Sequence, residues 1–392
     1  MIEPVVRIYF DHNATTPLHP AVLEAMTQAL ADDFGNASSV HAFGQKAKAD
    51  LDLARGRVAA LVGAEPNDLV WTAGGTEADN FAVRGIAEAV ESRGRKHLVA
   101  SAIEHEAVLN TCKHLARRGW TLTLVDPDRE GVIGPDALRQ ALTAQTALVS
   151  VMHANNEIGT VQPIAELADI AHEAGAVFHT DAVQTVGKME VDVEALGADL
   201  LSLSGHKFGG PKGTGALWIR RGTRIAPILT GGRHERNRRA GTENVPAVVG
   251  LGVAAVEAQR HLAAHQRGVG LLRDRLEAGI LAGVSGTVVN GDPTRRVHNT
   301  TNISFERVEA ESLLIALDLA GIAVSTGSAC SSGTLEPSHV LKAMRLPASR
   351  TQGALRFSLG PTNTEAEVDH VLQVLPALVE KLRSLTRMPV SR

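Results

Sequence analysis

The chain has only two cysteines in 392 residues, so it carries no disulfide framework. Neither cysteine sits in a CxxC pair or a Cys/His cluster of metal-site spacing, and no metal is expected. Charge of one sign is also lacking. The formal net charge is −4, too small an excess to point to nucleic acid or an anionic membrane. Long hydrophobic runs are missing as well: the longest, "VVGLGVAAVEA" at 248–258, falls short of the roughly 18 residues a membrane helix needs. The opening "MIEPVVRIYFDHN" has no basic segment followed by an apolar one, which argues against a secretory signal. No internal repeat or low-complexity linker interrupts the chain. With 44% apolar and 21% charged residues, the expectation is a soluble protein of a reducing compartment, the cytoplasm.

The length exceeds the roughly 250–300 residues at which a single core stops growing, so a large domain with a smaller companion is expected. Through the first two-thirds, short β-rich runs alternate with helical patterns. Candidate strands are "DLVWT" (68–72), "HLVAS" (97–101), "TLTLV" (121–125), "ALVSVM" (147–152), "AVFHTD" (176–181), "ADLLSLS" (198–204) and "GALWI" (215–219). Amphipathic segments at 106–119 and 164–175 lie between some of them, and the helix 20–33 precedes them. Strands joined by helix-length crossovers predict an α/β fold with a mostly parallel sheet covered on both faces. A long charged helical run follows at about 255–285. A shorter α+β pattern comes next, with "TNISF" (301–305), a helix at 311–321, "LRFSL" (355–359) and a terminal helix near 364–385. The boundary is placed near 260.

The most informative motif is "SLSGHKFGGPKG" (202–213), where a strand ends in Ser204-Gly205-His206-Lys207 and enters a Gly/Pro-rich turn. Ligands of α/β sheets bind beyond the carboxyl ends of the strands. A lysine there suits a Schiff base to pyridoxal phosphate, with Ser204 and His206 beside the phosphate; a solvated strand-end lysine is the plain alternative. In "HTDAVQTVGK" (179–188), Asp181 closes an apolar strand and suits a pyridine nitrogen, and Gln184 suits the ring hydroxyl. Here the alternative is a helix cap with a surface glutamine. "TAGGTEADN" (72–80) puts Thr76 where helix amides favour a phosphate, unless it is an ordinary cap. "AIEHEAVLN" (102–110) sets His105 between strand and helix, able to stack on a flat ring, though the chain has 16 histidines. "HANNEIGT" (153–160) offers Asn155, Asn156 and Glu157 to a polar ligand, or forms a simple turn. The basic segment 233–239 meets a phosphate, a partner subunit or water. Arg356, on the strand "LRFSLG", matches a carboxylate with its planar fork or is merely exposed. Cys330 stands alone in "STGSACSSG" (325–333), whereas Cys112 lies in a helical pattern and reads as packing.

Taken in order, "YFDHNATTP", "GTEADN", "EHEAVL", "HANNEIG", "HTDAVQTVGK", "SGHKFGGPKG", "RAGTEN", "STGSACSSGTLEPSHVLKAM" and "RFSLG" resemble the motif series of cysteine desulfurases of the NifS/IscS type, with the NifS-like branch favoured. These are class V, fold-type I enzymes dependent on pyridoxal 5′-phosphate. The similarity runs from residue 9 to about residue 360.

The resemblance implies a large cofactor-binding domain, 15–259, around a mostly parallel seven-stranded sheet. It implies a small α+β domain made of 1–14 and 260–392 that carries a mobile cysteine loop, about 325–334. Lys207 would carry the cofactor, and His105 would stack on its ring and move protons. Asp181 would face the pyridine nitrogen and Gln184 the ring hydroxyl. Gly75, Thr76, Ser204 and His206 would hold the phosphate, joined by Thr242 from the other subunit of a homodimer. Asn156 and Arg356 would hold the carboxylate of L-cysteine. Lys207 would take the α-proton, and the Cys330 thiolate would then attack the substrate sulfur. L-Alanine and a persulfide on Cys330 result, the sulfur passing to an iron–sulfur scaffold or another acceptor protein. A selenocysteine lyase or a class V aminotransferase would share Lys207, Asp181 and His105 but would not need Cys330. An inert fold acting as a cluster scaffold would offer more cysteines than two.

Overall fold

The computed structural model describes residues 7–91, 94–326 and 337–386. Its strands are β1 (Ile8–Tyr9), β2 (Leu69–Thr72), β3 (His97–Ser101), β4 (Thr121–Val125), β5 (Thr146–Ser150), β6 (Val177–Asp181), β7 (Leu200–Ser204), β8 (Gly215–Ile219), β9 (Thr287–Asn290), β10 (Thr300–Phe305), β11 (Ile322–Ala323) and β12 (Ala354–Ser358). The seven expected strands are present as β2 to β8, in one sheet ordered β2-β8-β7-β6-β5-β3-β4.

Crossover length explains the strand directions. β3 to β7 are parallel to their neighbours within that set, with helices such as Glu106–Ala116 and Ile164–Glu173 between them. β8 runs against both β7 and β2, because the connection 205–214 is too short for a crossover. β5 and β7 are buried along their whole length, as apolar runs covered on both faces must be.

A helix from Val245 to Gly283 links two hydrophobic cores. Its 39 residues span about 58 Å at the α-helical rise. Val248, Leu251 and Ala255 pack in a core with β2, β7 and β8. Val269, Leu276 and Ile280 pack in another with β10, β12 and the terminal helix Glu365–Thr386. The helical run expected from about 255 therefore begins ten residues earlier, at Val245, after an Asn244 cap and with Pro246 in its first turn. The apolar stretch that heads it packs against another helix, Ala42–Leu61. A Cβ on Gly252 would lie 2.7 Å from the Ala54 Cα, so this crossing requires glycine. Among the described residues no helix is long and apolar enough to cross a membrane.

β9, β10 and β12 form an antiparallel sheet ordered β12-β10-β9, and β1 pairs in parallel with β11. The N-terminal arm then runs from this region toward the large sheet. His12 N–H bonds the Ser358 carbonyl, Thr16 N–H the His206 carbonyl and His19 N–H the Gly209 carbonyl.

Candidate active site

Five connections leave the carboxyl edge of the large sheet on one side, and each carries a predicted site residue: Thr76 after β2, His105 after β3, Asn156 after β5, Asp181 at the end of β6, and Ser204 to Lys207 at and after β7. Arg356 comes from β12 and reaches the same place, its Nη1 donating to the Asn156 carbonyl at 2.9 Å. The chain therefore folds residues from across its length onto one edge.

Lys207 lies in a single 3₁₀ turn, Gly205–Lys207, and its Nζ donates to the main-chain carbonyls of Asn13 and Ala14, the latter at 2.9 Å. His206 meets the Thr15 hydroxyl through Nδ1 at 3.1 Å. Burial and the neighbouring Lys207 lower its pKa to about 4, so it is neutral near pH 7. Asp181 accepts the Val183 N–H at 2.8 Å. Burial raises its carboxyl above the usual range, while His105 and Lys207 pull against that rise. His105 caps its helix by accepting the Ala107 N–H on Nδ1 at 3.1 Å, which leaves Nε2 as the nitrogen that carries the proton in the neutral ring. Gln184 donates to the Asn13 carbonyl at 3.0 Å and accepts from Lys188 at 2.7 Å.

The first turn of the helix Gly75–Val90 has no side-chain cap, so its amides are available to an anion. Gly74, at φ 146° and ψ −176°, adopts a backbone conformation open only to glycine. A Cβ on Gly75 would come within 2.8 Å of Val183. A cavity of about 560 Å³ opens against Thr76 and His105, with Arg84 and Arg117 also in its lining. A backbone phosphate cradle, a buried carboxylate of raised pKa and a strand-end lysine fit pyridoxal phosphate in charge and in donor set.

Three site features went unnoticed in the sequence. Asn13 joins the site's parts: its side chain donates to the Asn156 carbonyl (3.1 Å) and Thr300 (2.8 Å), and its carbonyl receives Lys207 and Gln184. Lys188 is buried beside it. Glu104 is buried next to His105, accepting from Ser101 and, at 2.7 Å, from the Met152 N–H. The only available signal was the four-residue spacing of Gln184 and Lys188, which sets two side chains on one face of a helical turn.

Part of the basic segment is held within the chain. Arg55 pairs with Glu235 through two hydrogen bonds of 2.9 and 2.6 Å, and Arg239 pairs with Glu77 at 2.8 Å. The Arg55 pair anchors a left-handed turn at Glu235, Arg236 and Asn237. Thr242 is exposed just beyond it. Cys112 is buried, its thiol pushed up to about 12, and so is inert as a nucleophile. Cys330, with most of the loop expected at about 325–334, lies outside the described residues. Both flanks of that stretch are tied to the site. Ser325 and Arg356 exchange backbone hydrogen bonds, the Ser338 hydroxyl donates to Glu157, and His339 Nε2 meets the Glu104 carbonyl at 3.0 Å.

Fold and site together define an α/β enzyme of the pyridoxal-phosphate class. The chain belongs to the class-V aminotransferase family, whose profile matches residues 8–371. It is 50% identical to a cysteine desulfurase IscS of Methanosarcina thermophila, over 97% of this chain and 93% of that protein. A solved NifS-like protein superposes with a TM-score of 0.90 at 36% identity, covering 96% of this chain and 100% of the other. Another structure, described as SspA in complex with cysteine, matches with a TM-score of 0.81 at 34% identity, over 91% of this chain and 100% of the other. Within the family the chain is a pyridoxal-phosphate-dependent cysteine desulfurase.

Proposed function

We propose that this desulfurase removes sulfur from L-cysteine with Lys207 as its cofactor lysine and proton carrier and Cys330 as its sulfur acceptor. The observation that carries the reading is the meeting of Lys207, Asp181, His105 and Arg356 at one sheet edge. The cysteine bound in the solved SspA complex is in keeping with it.

When bound, the cofactor supplies an electron sink that weakens the bonds at the substrate's α-carbon. Gly75, Thr76, Ser204 and His206 would hold its phosphate, and a neutral His206 would donate a hydrogen bond without adding charge. Asp181 presents a carboxylate to the ring nitrogen, whose positive charge offsets the cost of burying that carboxylate. Gln184 would meet the ring oxygen, and His105 would cover the ring. Arg356 and Asn156 take the substrate carboxylate. The guanidinium is buried, two of its nitrogens are held by Asp11 (2.6 Å) and the Asn156 carbonyl, and its Nε has no hydrogen-bond partner among the described residues. A substrate carboxylate thus meets a rigid fork.

Lys207 Nζ takes the α-proton. The Cys330 thiolate then attacks the substrate sulfur, so that an S–S bond forms as the C–S bond breaks and the electron pair passes to the carbon skeleton. Protonation there yields L-alanine, and the persulfide goes to an iron–sulfur scaffold or other acceptor protein. The chain works as a homodimer in which Thr242 enters the partner's phosphate site; its exposure beyond an anchored turn supports this. Two domains, 15–259 and 1–14 with 260–392, follow the two cores bridged by the long helix. Two cysteines without a disulfide framework are in keeping with a reducing compartment, the cytoplasm.

Purified wild type, Lys207→Ala and Cys330→Ala are mixed with L-cysteine and a reductant, and alanine and sulfide are measured. Wild type should form both. Lys207→Ala should fall by roughly a thousandfold or more, and Cys330→Ala should lose persulfide transfer. Equal product from all three would sink the assignment.

A further inference from the structure

Lys188 is buried at 7% exposure beside the site, yet it has no part in the reaction as derived. Its Nζ donates to the Gln184 Oε1 at 2.7 Å and to the Asn13 Oδ1 at 2.8 Å. Both acceptors are oxygens, and that fixes how each amide is turned. With Oε1 held by Lys188, Gln184 presents its NH₂ on the other side, where it now donates to the Asn13 carbonyl at 3.0 Å. The same carbonyl receives Lys207 Nζ. With Oδ1 held by Lys188 and by Asn299 at 3.0 Å, Asn13 turns its own NH₂ toward Thr300 and the Asn156 carbonyl. One amine therefore sets two amides that border the cofactor lysine.

We propose that Lys188 is a positioning residue: it locks the amide face of Gln184 so that a donor, and never an acceptor, meets the cofactor's ring oxygen. A free glutamine amide can turn over at little cost and would then set one oxygen against another. The role does not depend on the charge of Lys188. Burial lowers its pKa well below the ordinary lysine value, and Lys207 and Arg356 add to that; His12 and His298 in turn feel its charge. A neutral amine still has two N–H groups, and two acceptors are present. The residue's place in the turn after β6 supports the same view, because Gln184 and Lys188 stand one helical turn apart. The backbone there is closed by Thr185 N–H to the Ala182 carbonyl and Lys188 N–H to the Thr185 carbonyl.

The inference rests on the assignment of Gln184 to the ring oxygen, and its test is spectroscopic, on cofactor-loaded protein. A donor at the ring oxygen stabilises its negative charge, so losing the donor makes the adjacent proton harder to remove. Lys188→Met should raise the pH midpoint of the bound cofactor's visible band by about one unit, the size of a lost hydrogen bond to a charged oxygen. Gln184→Met should raise it equally, and the double variant no further, since both act through one contact. A midpoint unchanged in Lys188→Met, or shifts that add in the double variant, would overturn the proposal. Gln184→Met keeps Lys188 in place, so an unmoved midpoint there overturns it even where Lys188→Met does not fold. A wild-type protein that shows no visible band with pyridoxal phosphate would instead contradict the cofactor assignment itself.

Discussion

Two sides of the site carry opposite chemistry. Along the carboxyl edge of the large sheet lie acids: Asp181, Asp79 near it and Glu104 after β3, two strands away. All three are buried, and burial pushes each carboxyl upward. Where the N-terminal arm meets the turn after β6 and strand β12 lie bases: Lys188, pushed downward by burial, Lys207 and Arg356. The imidazoles of His12 and His206 on this side are lowered to about 4. Acids and bases paired directly would have driven each other toward their charged forms. Largely kept apart, the three carboxyls and Lys188 bear the cost of their own burial and are drawn toward neutrality. A ligand with a cationic ring nitrogen and anionic oxygens suits both sides at once, and pyridoxal phosphate is such a ligand. Binding it offsets the desolvation of both sets, which ties the site's electrostatics to its cofactor.

The comparison breaks most visibly at Asp181, the acid proposed to face the cofactor's ring nitrogen. Asp181→Asn keeps the shape and removes the charge. Turnover of L-cysteine to alanine should fall by roughly a hundred- to thousandfold, the usual size of one lost electrostatic stabiliser. An Asp181→Asn protein within threefold of wild type would show that the acid side does not act on the ring. The basic side is tested next, and more gently. Arg356→Lys keeps the cation but loses the fork, so KM for L-cysteine should rise roughly ten- to hundredfold, more than kcat falls. A drop confined to kcat would move Arg356 out of the carboxylate site.

Each side had members that were legible in the sequence, such as Asp181, Lys207 and Arg356, and members that were not, such as Glu104 and Lys188. Strands buried on both faces read as continuous apolar runs, so β2, β3 and β5 to β8 could be marked that way, and the residues at their carboxyl ends, Asp181 and Lys207 among them, came with them. Those positions are set locally, by where a strand stops. The missed contacts are set by chain crossings. Lys188 and Asn13 meet across 175 positions, and nothing in either short motif announces the contact. Asn13 lay inside "YFDHNATTP" as one more polar residue in a polar run. The start of the helix at Val245 was hidden for a related reason. Its first turns are apolar with glycines at 250 and 252, whose use appears only when Met26 and Ala54 pack against them.

The finest test concerns Glu104, an acid with no part in the work assigned to Lys207 and Arg356. Burial raises its pKa from 4.5 to about 8, so the folded protein holds it protonated near pH 7 while the unfolded chain does not. Folding therefore takes up a proton between those values. The stability this provides is fully present below pH 4.5 and is lost as the pH climbs through 8. Glu104→Gln removes the titration and keeps the neutral shape. Relative to wild type, the variant should gain stability from pH 5 to pH 8 by up to about 1.4 kcal/mol per unit, then level off. Activity at pH 7 should change less than threefold. Parallel denaturant midpoints for the two proteins across this range would mean that Glu104 is ionised in the folded state, and that the acid side holds a true buried charge beyond Asp181.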